Sequence, residues 1–375
     1  MGEGAAARTP VPAPPEAAPG GGGLPLRVQC ALVIALLFFV FLLHSLRLSS
    51  GVAQPQHRPV NGQSEAHQLP AHGVLAPAGT ASGGSSATVA SCIRAHLRPR
   101  PLDFSWAEGG PLIPAPRIAV IGMFKNEAVN MREWLEHYLE QGIEHFLLLD
   151  NDSSDAWQGQ LAGFEDVTKV VSSTLVHAQV MLYNSIAVPW LQSQGIELAL
   201  IVDLDEFAFS TKPGRTLAEL AWGIFNHSDT SKIASVHMAW ALFGSSGHVE
   251  QPPSVREGFT QRKVDSLAGL GKSFARLSMV DSLNIHVHAS ATGVRVDEPI
   301  STMLGFQLNH YAIQSKRWFE ATKMTRGDSG SATLDNVRNW EYFAKYDFKE
   351  MEDRQLLDVA KGWRSRHPEC YSHSK

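Results

Sequence analysis

One stretch constrains the fold more than any other, an apolar run that ends in three carboxylates. It reads Leu198-Ala-Leu-Ile-Val-Asp203-Leu-Asp205-Glu206. Such a run is typical of a buried parallel strand, and ligands of parallel sheets bind at the carboxyl ends of the strands. Alternation along a strand predicts that Asp203 and Asp205 share one face, with Glu206 on the other. Two adjacent carboxylates repel unless a divalent cation or a shared proton relieves them. A solvated acidic turn is the alternative interpretation of so short a motif.

Similar apolar runs precede this stretch and alternate with helical patterns. They predict strands at 117–124, 144–150 and 167–174, with helices at 129–141 and 178–194. Pro189 should kink or break the second helix. Strands that alternate with helices predict an α/β fold, with a mostly parallel central sheet, flanking helices and right-handed crossovers.

Polar residues follow the first two of these strands. Lys125, Asn126 and Glu127 come after the first strand, and Asp150 and Asp152 come after the second. Asn, Asp and Ser in such places often do no more than form turns. A carboxylate at the end of a parallel strand can also accept hydrogen bonds from a ribose or a base. We therefore expect these residues to line a nucleotide pocket.

Three histidines downstream are candidates for a further metal ligand. His286 and His288 fall on one face of a predicted strand at 284–288, and His310 lies next to hydroxyl and basic residues. A single histidine is more often a hydrogen-bonded core residue than a ligand. Three of them after an acidic strand end make one a reasonable third ligand, and His310 is the first choice.

Basic residues are concentrated in a predicted helix at 316–326. Lys316, Lys323 and Arg326 lie on or near it. They could simply form a solvated face. Near a metal site, such cations could instead hold a diphosphate and stabilise the charge of a departing nucleotide.

The N-terminal third has a different character. Residues 28–46 read VQCALVIALLFFVFLLHSL between Arg27 and Arg47, which predicts a transmembrane signal anchor. A core helix or a cleaved signal peptide would fit poorly between two low-complexity segments. We expect a cytoplasmic tail at 1–27, a low-complexity stem at 47–115 and a catalytic domain at 116–375. Ala90 to Arg98 is a candidate helical turn within the stem.

Charge and cysteine content narrow the possible partners. The net charge is −5 at pH 7, so nothing indicates a nucleic-acid partner. The three cysteines are Cys30, Cys92 and Cys370, too few for a disulfide scaffold. Cys92 and Cys370 could pair in an oxidising lumen or remain free thiols. No CxxC or CxxH spacing occurs, which argues against a zinc site built on cysteine.

Several of these stretches together resemble glycosyltransferase family 92 and its relatives of family-2 type. The resemblance extends over roughly 117–353, and the shared order of the motifs is more specific than any one of them. The matching motifs are Phe124-Lys-Asn-Glu-Ala128 with Glu133-Trp134, the segment His145 to Asp155, Val202-Asp-Leu-Asp-Glu-Phe207, Phe243-Gly-Ser-Ser-Gly-His248, Phe259-Thr-Gln-Arg262, Lys272-Ser-Phe-Ala-Arg276, and His310-Tyr-Ala-Ile-Gln-Ser-Lys316 with Arg326-Gly327.

The resemblance implies a GT-A fold, a nucleotide-sugar donor and a divalent metal, usually Mn2+, bound at the DxD motif. Asp203 and Asp205 would hold the metal and donor, and Asp150 and Asp152 would line the nucleotide pocket. His310 would complete the metal shell. The anchor and stem match the type II layout of Golgi membrane enzymes, with the catalytic domain in the lumen.

The resemblance also implies transfer with inversion, which needs a carboxylate to deprotonate the acceptor hydroxyl. Candidates for this base are Glu250, Glu298, Asp328 and Asp353. The sequence does not separate them.

The sequence thus predicts a metal-dependent glycosyltransferase that moves a sugar such as galactose from a UDP-sugar to a glycan acceptor. The alternative is a non-catalytic luminal protein that keeps the fold and binds glycan or nucleotide-sugar. The intact Asp203 and Asp205 count against that alternative. A metal-dependent phosphoesterase would need a richer cluster of His and Asp.

Overall fold

The computed structural model describes residues 88–97, 117–175, 178–226, 232–290, 292–326 and 337–371. The predicted anchor at 28–46, the tail before it, most of the stem and Asp328 lie outside these ranges. Within them, no helix combines the length and the apolar character needed to cross a bilayer. All described residues belong to one compact unit within 82–375.

The centre of this unit is a mixed sheet. Its strands are β1 (Ile118–Phe124), β2 (His145–Asp150), β3 (Thr168–Ser172), β4 (Leu198–Ile201), β5 (Glu206–Ser210), β6 (Ile233–Leu242), β8 (Leu267–Arg276), β11 (Val294–Val296) and β12 (Phe306–His310). Two short ribbons join β7 (Gln261–Arg262) to β13 (Met351–Glu352), and β9 (Val280–Ser282) to β10 (Ala289–Ser290).

Helices cover the sheet and connect its strands. They are α1 (Val89–His96), α2 (Ala128–Glu140), α3 (Gln179–Leu182), α4 (Val188–Ser193), α5 (Leu217–Asn226), α6 (Val255–Gly258), α7 (Ile300–Leu304), α8 (Lys316–Trp318), α9 (Trp340–Tyr346) and α10 (Gln355–Arg366). The described residues also contain two π-helical turns, Tyr183–Ala187 and Phe319–Lys323, and two 3-10 helices, Trp157–Leu161 and Pro368–Tyr371.

The order of strands is β3-β2-β1-β4-β8-β6-β12-β5, with β11 beside β6. The first four strands are parallel, as the alternating pattern predicts. Beyond them the sheet is mixed, because β8 runs antiparallel to both β4 and β6, and β5 runs antiparallel to β12. The parallel arrangement therefore describes the first half of the sheet, and the second half departs from it.

The sheet is strongly curved where the DxD turn lies. Only residues 202–205 separate β4 from β5, although three strands stand between them in the sheet. In a flat sheet, four strand spacings would separate β4 and β5 by about 19 Å. The connecting segment reaches at most about 17 Å, and it also contains a turn. The sheet must therefore bend until β5 lies beside the carboxyl end of β4.

Strand β1 shows why the first apolar run has no alternation. Val120 and Phe124 pack in the core on the α2 side, with Trp134. Ala119 and Ile121 pack in the core on the other side, against the helical residues after β3. A strand that is buried on both faces is apolar at every position.

Two predicted elements differ from the structure. The predicted strand at 284–288 is a loop between β9 and β10, in which the His288 Nδ1 atom accepts a hydrogen bond from the Asn284 N–H. This local bond replaces a strand ladder. The predicted helix at 178–194 does not break at Pro189. A π-helical turn precedes it, and Pro189 stands in the first turn of α4, where a missing N–H costs little.

Helix α1 lies within the predicted stem, at the position of the candidate helical turn, yet it packs on the domain. Ala90 and Ile93 are fully buried in the α2-side core. A disulfide joins Cys92 of α1 to Cys370 of the last 3-10 helix. The two thiols whose pairing the sequence leaves open are therefore bonded to each other.

Candidate functional site

The site centres on the turn Asp203-Leu204-Asp205, which links β4 to β5 instead of extending β4. Leu204 is buried and packs over Gly122 of β1, where an added Cβ would come within 2.9 Å of the Leu204 side chain. The Trp134 indole N–H donates to the Asp203 carbonyl at 3.0 Å. These contacts direct Leu204 into the core, while the carboxylates of Asp203 and Asp205 each meet a lysine.

Asp203 is held by a lysine from the middle of the sheet. The Lys272 ammonium of β8 donates to Asp203 Oδ2 at 2.8 Å and lies 3.6 Å from Glu206 Oε2. Lys272 is 0% exposed. Its burial opposes the charge, but the negative charges of Asp203 and Glu206 outweigh that effect and raise the pKa of Lys272. Lys272 is therefore a permanently charged part of the site.

Glu206 links the backbone of Asp203 to the indole of Trp240. Its Oε2 accepts from the Asp203 N–H at 2.8 Å, and its Oε1 accepts from the Trp240 indole N–H at 2.7 Å. Burial raises the pKa of Glu206, and the neighbouring Lys272 acts in the opposite direction. The sequence placed Glu206 on the face opposite the two aspartates, but its carboxylate meets that of Asp203 at the Lys272 ammonium. Strand alternation does not hold here because residues 202–205 form a turn between β4 and β5.

Asp205 lies between a lysine and a histidine. The Lys323 ammonium donates to Asp205 Oδ2 at 2.6 Å, and His310 Nε2 lies 3.8 Å from Asp205 Oδ1. Burial alone would raise the pKa of Asp205, but the charge and the hydrogen bond of Lys323 hold it well below its usual range. Asp205 is thus a carboxylate at any physiological pH.

His310 has the properties of a neutral nitrogen ligand. Its ring packs on Trp240 with centroids 4.3 Å apart. Burial lowers the pKa of His310 to about 4, against the opposing charge of Asp205. His310 Nδ1 is buried and finds no hydrogen-bond partner among the described residues. Because an uncharged imidazole keeps a lone pair for a cation, Asp205 Oδ1 and His310 Nε2 fit a divalent ion between them.

A second group of charges lies on the loop after β1. The Arg326 guanidinium contacts the Glu127 carboxylate and the Lys125 carbonyl. Lys323 lies 3.9 Å from Glu127 Oε1, and Lys125 lies 3.8 Å from Asp152 Oδ2. A chain of ion pairs therefore connects Asp205 to the loops that follow both β1 and β2.

The loops after β1 and β2 hold each other in place. The Ser154 N–H donates to Asn126 Oδ1 at 2.8 Å, and the Ser153 N–H donates to Asp150 Oδ1 at 2.9 Å. Asn126 and Asp152 have positive φ values of 54° and 60°, a conformation that Asn and Asp tolerate better than most residues. Asp150 is nearly buried and stabilises its own turn, whereas the side chain of Asp152 is 66% exposed.

The other predicted residues lie apart from this cluster. Glu250 is exposed and lies 3.3 Å from Arg317, on the wall of an open cavity of about 650 Å3 that Asn126 and Thr322 also line. Lys316 is exposed at the start of α8. Glu298 precedes α7 and accepts from the Thr302 hydroxyl.

Asp353 occupies the opposite face of β12 from His310. It accepts from Arg262 Nε at 2.7 Å and from Gln307 Nε2 at 3.1 Å, and it is nearly buried. Gln307 and His310 are three positions apart on one strand, so their side chains point to opposite faces. Asp353 is engaged in a buried ion pair away from Asp205.

Lys272 and Trp240 are the members of the cluster to which the sequence assigned no role. A lysine within the apolar strand β8 was the available signal, because lysine is almost never fully buried without a partner. Its partner is set by register: β4 and β8 pair Leu200 with Phe274. Continuing that antiparallel register places Lys272 opposite residue 202, beside Asp203.

Known proteins are similar to this chain in sequence. The family model described as glycosyltransferase family 92 matches residues 118–361. A rice (Oryza sativa subsp. japonica) protein described as a glycosyltransferase family 92 protein is 27% identical over 163 residues, which cover 40% of this chain and 25% of that protein. The chain thus matches about a quarter of the length of this relative.

Solved structures are similar over part of the chain. S. aureus TarS 1-349 has a TM-score of 0.29 and 16% identity, and the match covers 43% of this chain and 47% of TarS. The mannosyl-3-phosphoglycerate synthase from Rubrobacter xylanophilus has a TM-score of 0.26 and 15% identity, over 43% of this chain and 53% of that enzyme. Likenesses at this level carry no conclusion about activity.

Proposed function

The chain belongs to glycosyltransferase family 92, and we propose that it transfers a sugar from a nucleotide-sugar donor to a glycan acceptor at the Asp203-Leu204-Asp205 turn. One observation supports this site above all others. Asp205 lies between the Lys323 ammonium and the neutral His310 ring, 2.6 Å from the first and 3.8 Å from the second. A carboxylate, a neutral nitrogen and a mobile cation are the groups that a leaving diphosphate and its counterion require.

Asp205 and His310 would hold the divalent cation in this proposal, with Mn2+ as the expected ion. When bound, such a cation neutralises the charge that develops on the leaving diphosphate without any proton transfer. Asp203 is left for the donor, because Lys272 already pairs with its Oδ2 atom. Its side chain is 36% exposed and can accept a hydrogen bond from a donor hydroxyl.

Lys323 and Arg326 would bind the diphosphate. Lys323 is on the π-helical turn that follows α8, and its side chain is 17% exposed. On donor binding, its ammonium would move from Asp205 Oδ2 to a phosphate oxygen. Arg326 is held by Glu127 and can form bidentate hydrogen bonds with phosphate through its remaining N–H groups.

The nucleoside would lie against the loops after β1 and β2. These loops are at the carboxyl ends of two parallel strands, where nucleotides bind in α/β sheets. Asp152 is exposed there and can accept from a ribose hydroxyl, while Asn126 and Asp150 maintain the loop geometry. We propose a UDP-sugar as the donor, with galactose as one sugar to be tested.

Among the described carboxylates, Glu250 is our candidate base for an inverting transfer. It is exposed on the wall of the cavity that Asn126 and Thr322 also line, so an acceptor could reach it. Asp353 is a poor candidate because it is already paired with Arg262 and burial separates it from an acceptor. Glu250 would take the proton from the acceptor hydroxyl as that oxygen attacks the sugar carbon.

The test is to incubate the purified luminal part, residues 82–375, with UDP-, GDP- and CMP-sugars, with and without Mn2+. We expect hydrolysis or transfer of one donor class that depends on the added cation. Binding of a nucleotide-sugar with no turnover of any donor would favour the alternative of a non-catalytic binding protein.

We further propose that the segment at 28–46 anchors the protein in the Golgi membrane with the described unit in the lumen. The Cys92–Cys370 disulfide supports an oxidising compartment. Protease treatment of intact and detergent-opened Golgi vesicles tests this orientation. Digestion of the domain in intact vesicles would contradict it.

A further inference from the structure

A cluster of metal-ligating side chains lies far along the chain from the DxD turn, where α1 meets the C-terminal 3-10 helix. Cys92 and His96 come from α1, and Glu369 and Cys370 come from the 3-10 helix. One ligand atom from each of the four lies within 4.8 Å of the others. His96 Nε2 is 2.9 Å from Glu369 Oε1, and Cys92 and Cys370 are bonded to each other, so the four residues form two contacting pairs.

We infer that this cluster binds a zinc ion when the Cys92–Cys370 disulfide is reduced. Two thiolates, an imidazole and a carboxylate form a tetrahedral set of the kind zinc prefers. In such a site the ligand atoms are roughly 3.2–3.8 Å apart. From separations within 4.8 Å, and with the sulfurs moving apart, each ligand atom needs to move only on the order of 1–2 Å.

The surroundings of the cluster suit an exchangeable ion. Cys370 is buried, whereas the side chains of His96 and Glu369 are 37% and 53% exposed, so the cluster opens to solvent on one side. The His367 ring packs against His96 at a tilt, with centroids 4.3 Å apart, which restrains the orientation of the imidazole. Spacing alone gave no sign of this site, because Cys92 and Cys370 are 278 positions apart in sequence.

A dithiol or a phosphine can reduce the Cys92–Cys370 disulfide. A dithiol supplies two electrons and two protons and is oxidised to its own disulfide, whereas a phosphine supplies the electrons, takes the oxygen of a water molecule to become a phosphine oxide, and leaves the two protons of that water. In either case the Cys92–Cys370 bond breaks and each sulfur becomes a thiol. Zinc then displaces one proton from each thiol and bonds to both sulfurs. The same four residues would thus join α1 to the C-terminal segment in both redox states, by a covalent bond when oxidised and by zinc when reduced.

Reduction of the disulfide should loosen the attachment of α1 without removing its packing on the domain. Ala90 and Ile93 are buried, and Arg94 pairs with Glu144 and Asp166, so reduction alone leaves α1 partly held. We expect reduction to lower the midpoint of thermal unfolding, and zinc to restore part of that loss. Binding to the folded state raises its stability in this way.

The experiment uses the protein of residues 82–375 carrying Asp205→Asn, so that zinc at the DxD turn does not contribute. It is reduced with a phosphine without oxygen, and zinc uptake is followed by competition with a chromogenic chelator. We expect one equivalent of tight zinc in the reduced protein and none in the oxidised protein. His96→Ala should weaken the binding by about tenfold or more, whereas the matched control His145→Ala should not change it.

Cobalt provides a second measurement, in which the parent protein itself gives the signal. Co2+ added to the reduced protein should give the near-ultraviolet absorption of thiolate-to-cobalt charge transfer, and Cys92→Ser should abolish it. Absence of zinc uptake by the reduced protein overturns the inference. Equal zinc affinity in the reduced parent protein and the His96→Ala variant overturns it as well, because zinc would then be bound elsewhere.

Discussion

Both carboxylates of the DxD turn meet a lysine, but the two lysines are held very differently. Lys272 lies in the middle of β8, between β4 and β6, and is 0% exposed. Lys323 lies on a π-helical turn and its side chain is 17% exposed. π-Helical turns occur frequently at functional sites. The difference indicates that Asp203, Glu206 and Lys272 form a fixed half of the site. Asp205, His310 and Lys323 form an exchangeable half, in which Asp205 can exchange its lysine partner for a ligand.

The largest effect should come from removing the charge of Lys272. Lys272→Met leaves the buried Glu206 and the partly exposed Asp203 without their cation, and breaking a buried pair such as Lys272–Glu206 costs about 3–5 kcal/mol. We expect a free energy of unfolding lower by that amount, measured by urea denaturation. Lys272→Met combined with Glu206→Gln removes one charge of each sign and should recover part of the loss. Unchanged stability of Lys272→Met would show that Lys272 does not belong to the fixed half.

Removing the charge of Lys323 should affect turnover more than stability. Lys323→Met should lower kcat/KM for the nucleotide-sugar by about a hundredfold, because a phosphate-binding charge is lost. Its midpoint of thermal unfolding should stay close to that of the parent. The exposed Lys316→Met serves as a matched control with nearly unchanged kinetics. A large loss of stability with kinetics unaffected would mean that Lys323, like Lys272, is structural.

Replacing His310 should weaken the binding of the divalent cation and leave the binding of free nucleotide unchanged. His310→Gln removes the nitrogen ligand but keeps a polar side chain on Trp240. We expect the affinity for Mn2+ to fall by about tenfold, while the affinity for free nucleotide without metal stays the same. Calorimetric titrations of each ligand provide the two numbers. An equal fall in both affinities would indicate that the whole pocket has been disturbed.

The last prediction concerns the loss of stability in acid that comes from His288, which lies near Lys272. Burial lowers the pKa of His288 to about 4, with His237 and Lys272 adding to the shift. An unfolded histidine titrates near 6.5, so between these values the unfolded chain binds more protons than the folded one. Stability should therefore fall as pH is lowered, by about 2 kcal/mol between about pH 7 and pH 5. His288→Gln should lose this part of the pH dependence in urea denaturation, and the same acid sensitivity in that variant would contradict it.

The exchangeable half was more readily predicted from sequence than the fixed half. An apolar run entering Asp203 and Asp205 indicated a strand end, and His310 and Lys323 stood out as ligand types nearby. In the structure Lys323 donates to Asp205 at 2.6 Å, and His310 lies 3.8 Å from it. The parallel strands were predictable for the same reason, since burial on both faces produces uninterrupted apolar runs.

The fixed half depends on pairings that a local pattern does not contain. Lys272 meets Asp203 through the antiparallel register of β4 and β8, which no single strand specifies. The loop at 284–288 was expected to be a strand because alternation alone cannot reveal that His288 bonds to Asn284. The Cys92–Cys370 bond likewise joins residues from opposite ends of the domain. The hydrophobic pattern of a single segment specifies none of these contacts.

The most direct test compares Mn2+ binding by Asp205→Asn and Asp203→Asn, using titration calorimetry on folded protein of residues 82–375. If Asp205 and His310 hold the cation while Lys272 retains Asp203, Asp205→Asn should abolish Mn2+ binding and Asp203→Asn should largely retain it. Loss of Mn2+ binding in Asp203→Asn, with binding preserved in Asp205→Asn, would contradict the division between a fixed and an exchangeable half.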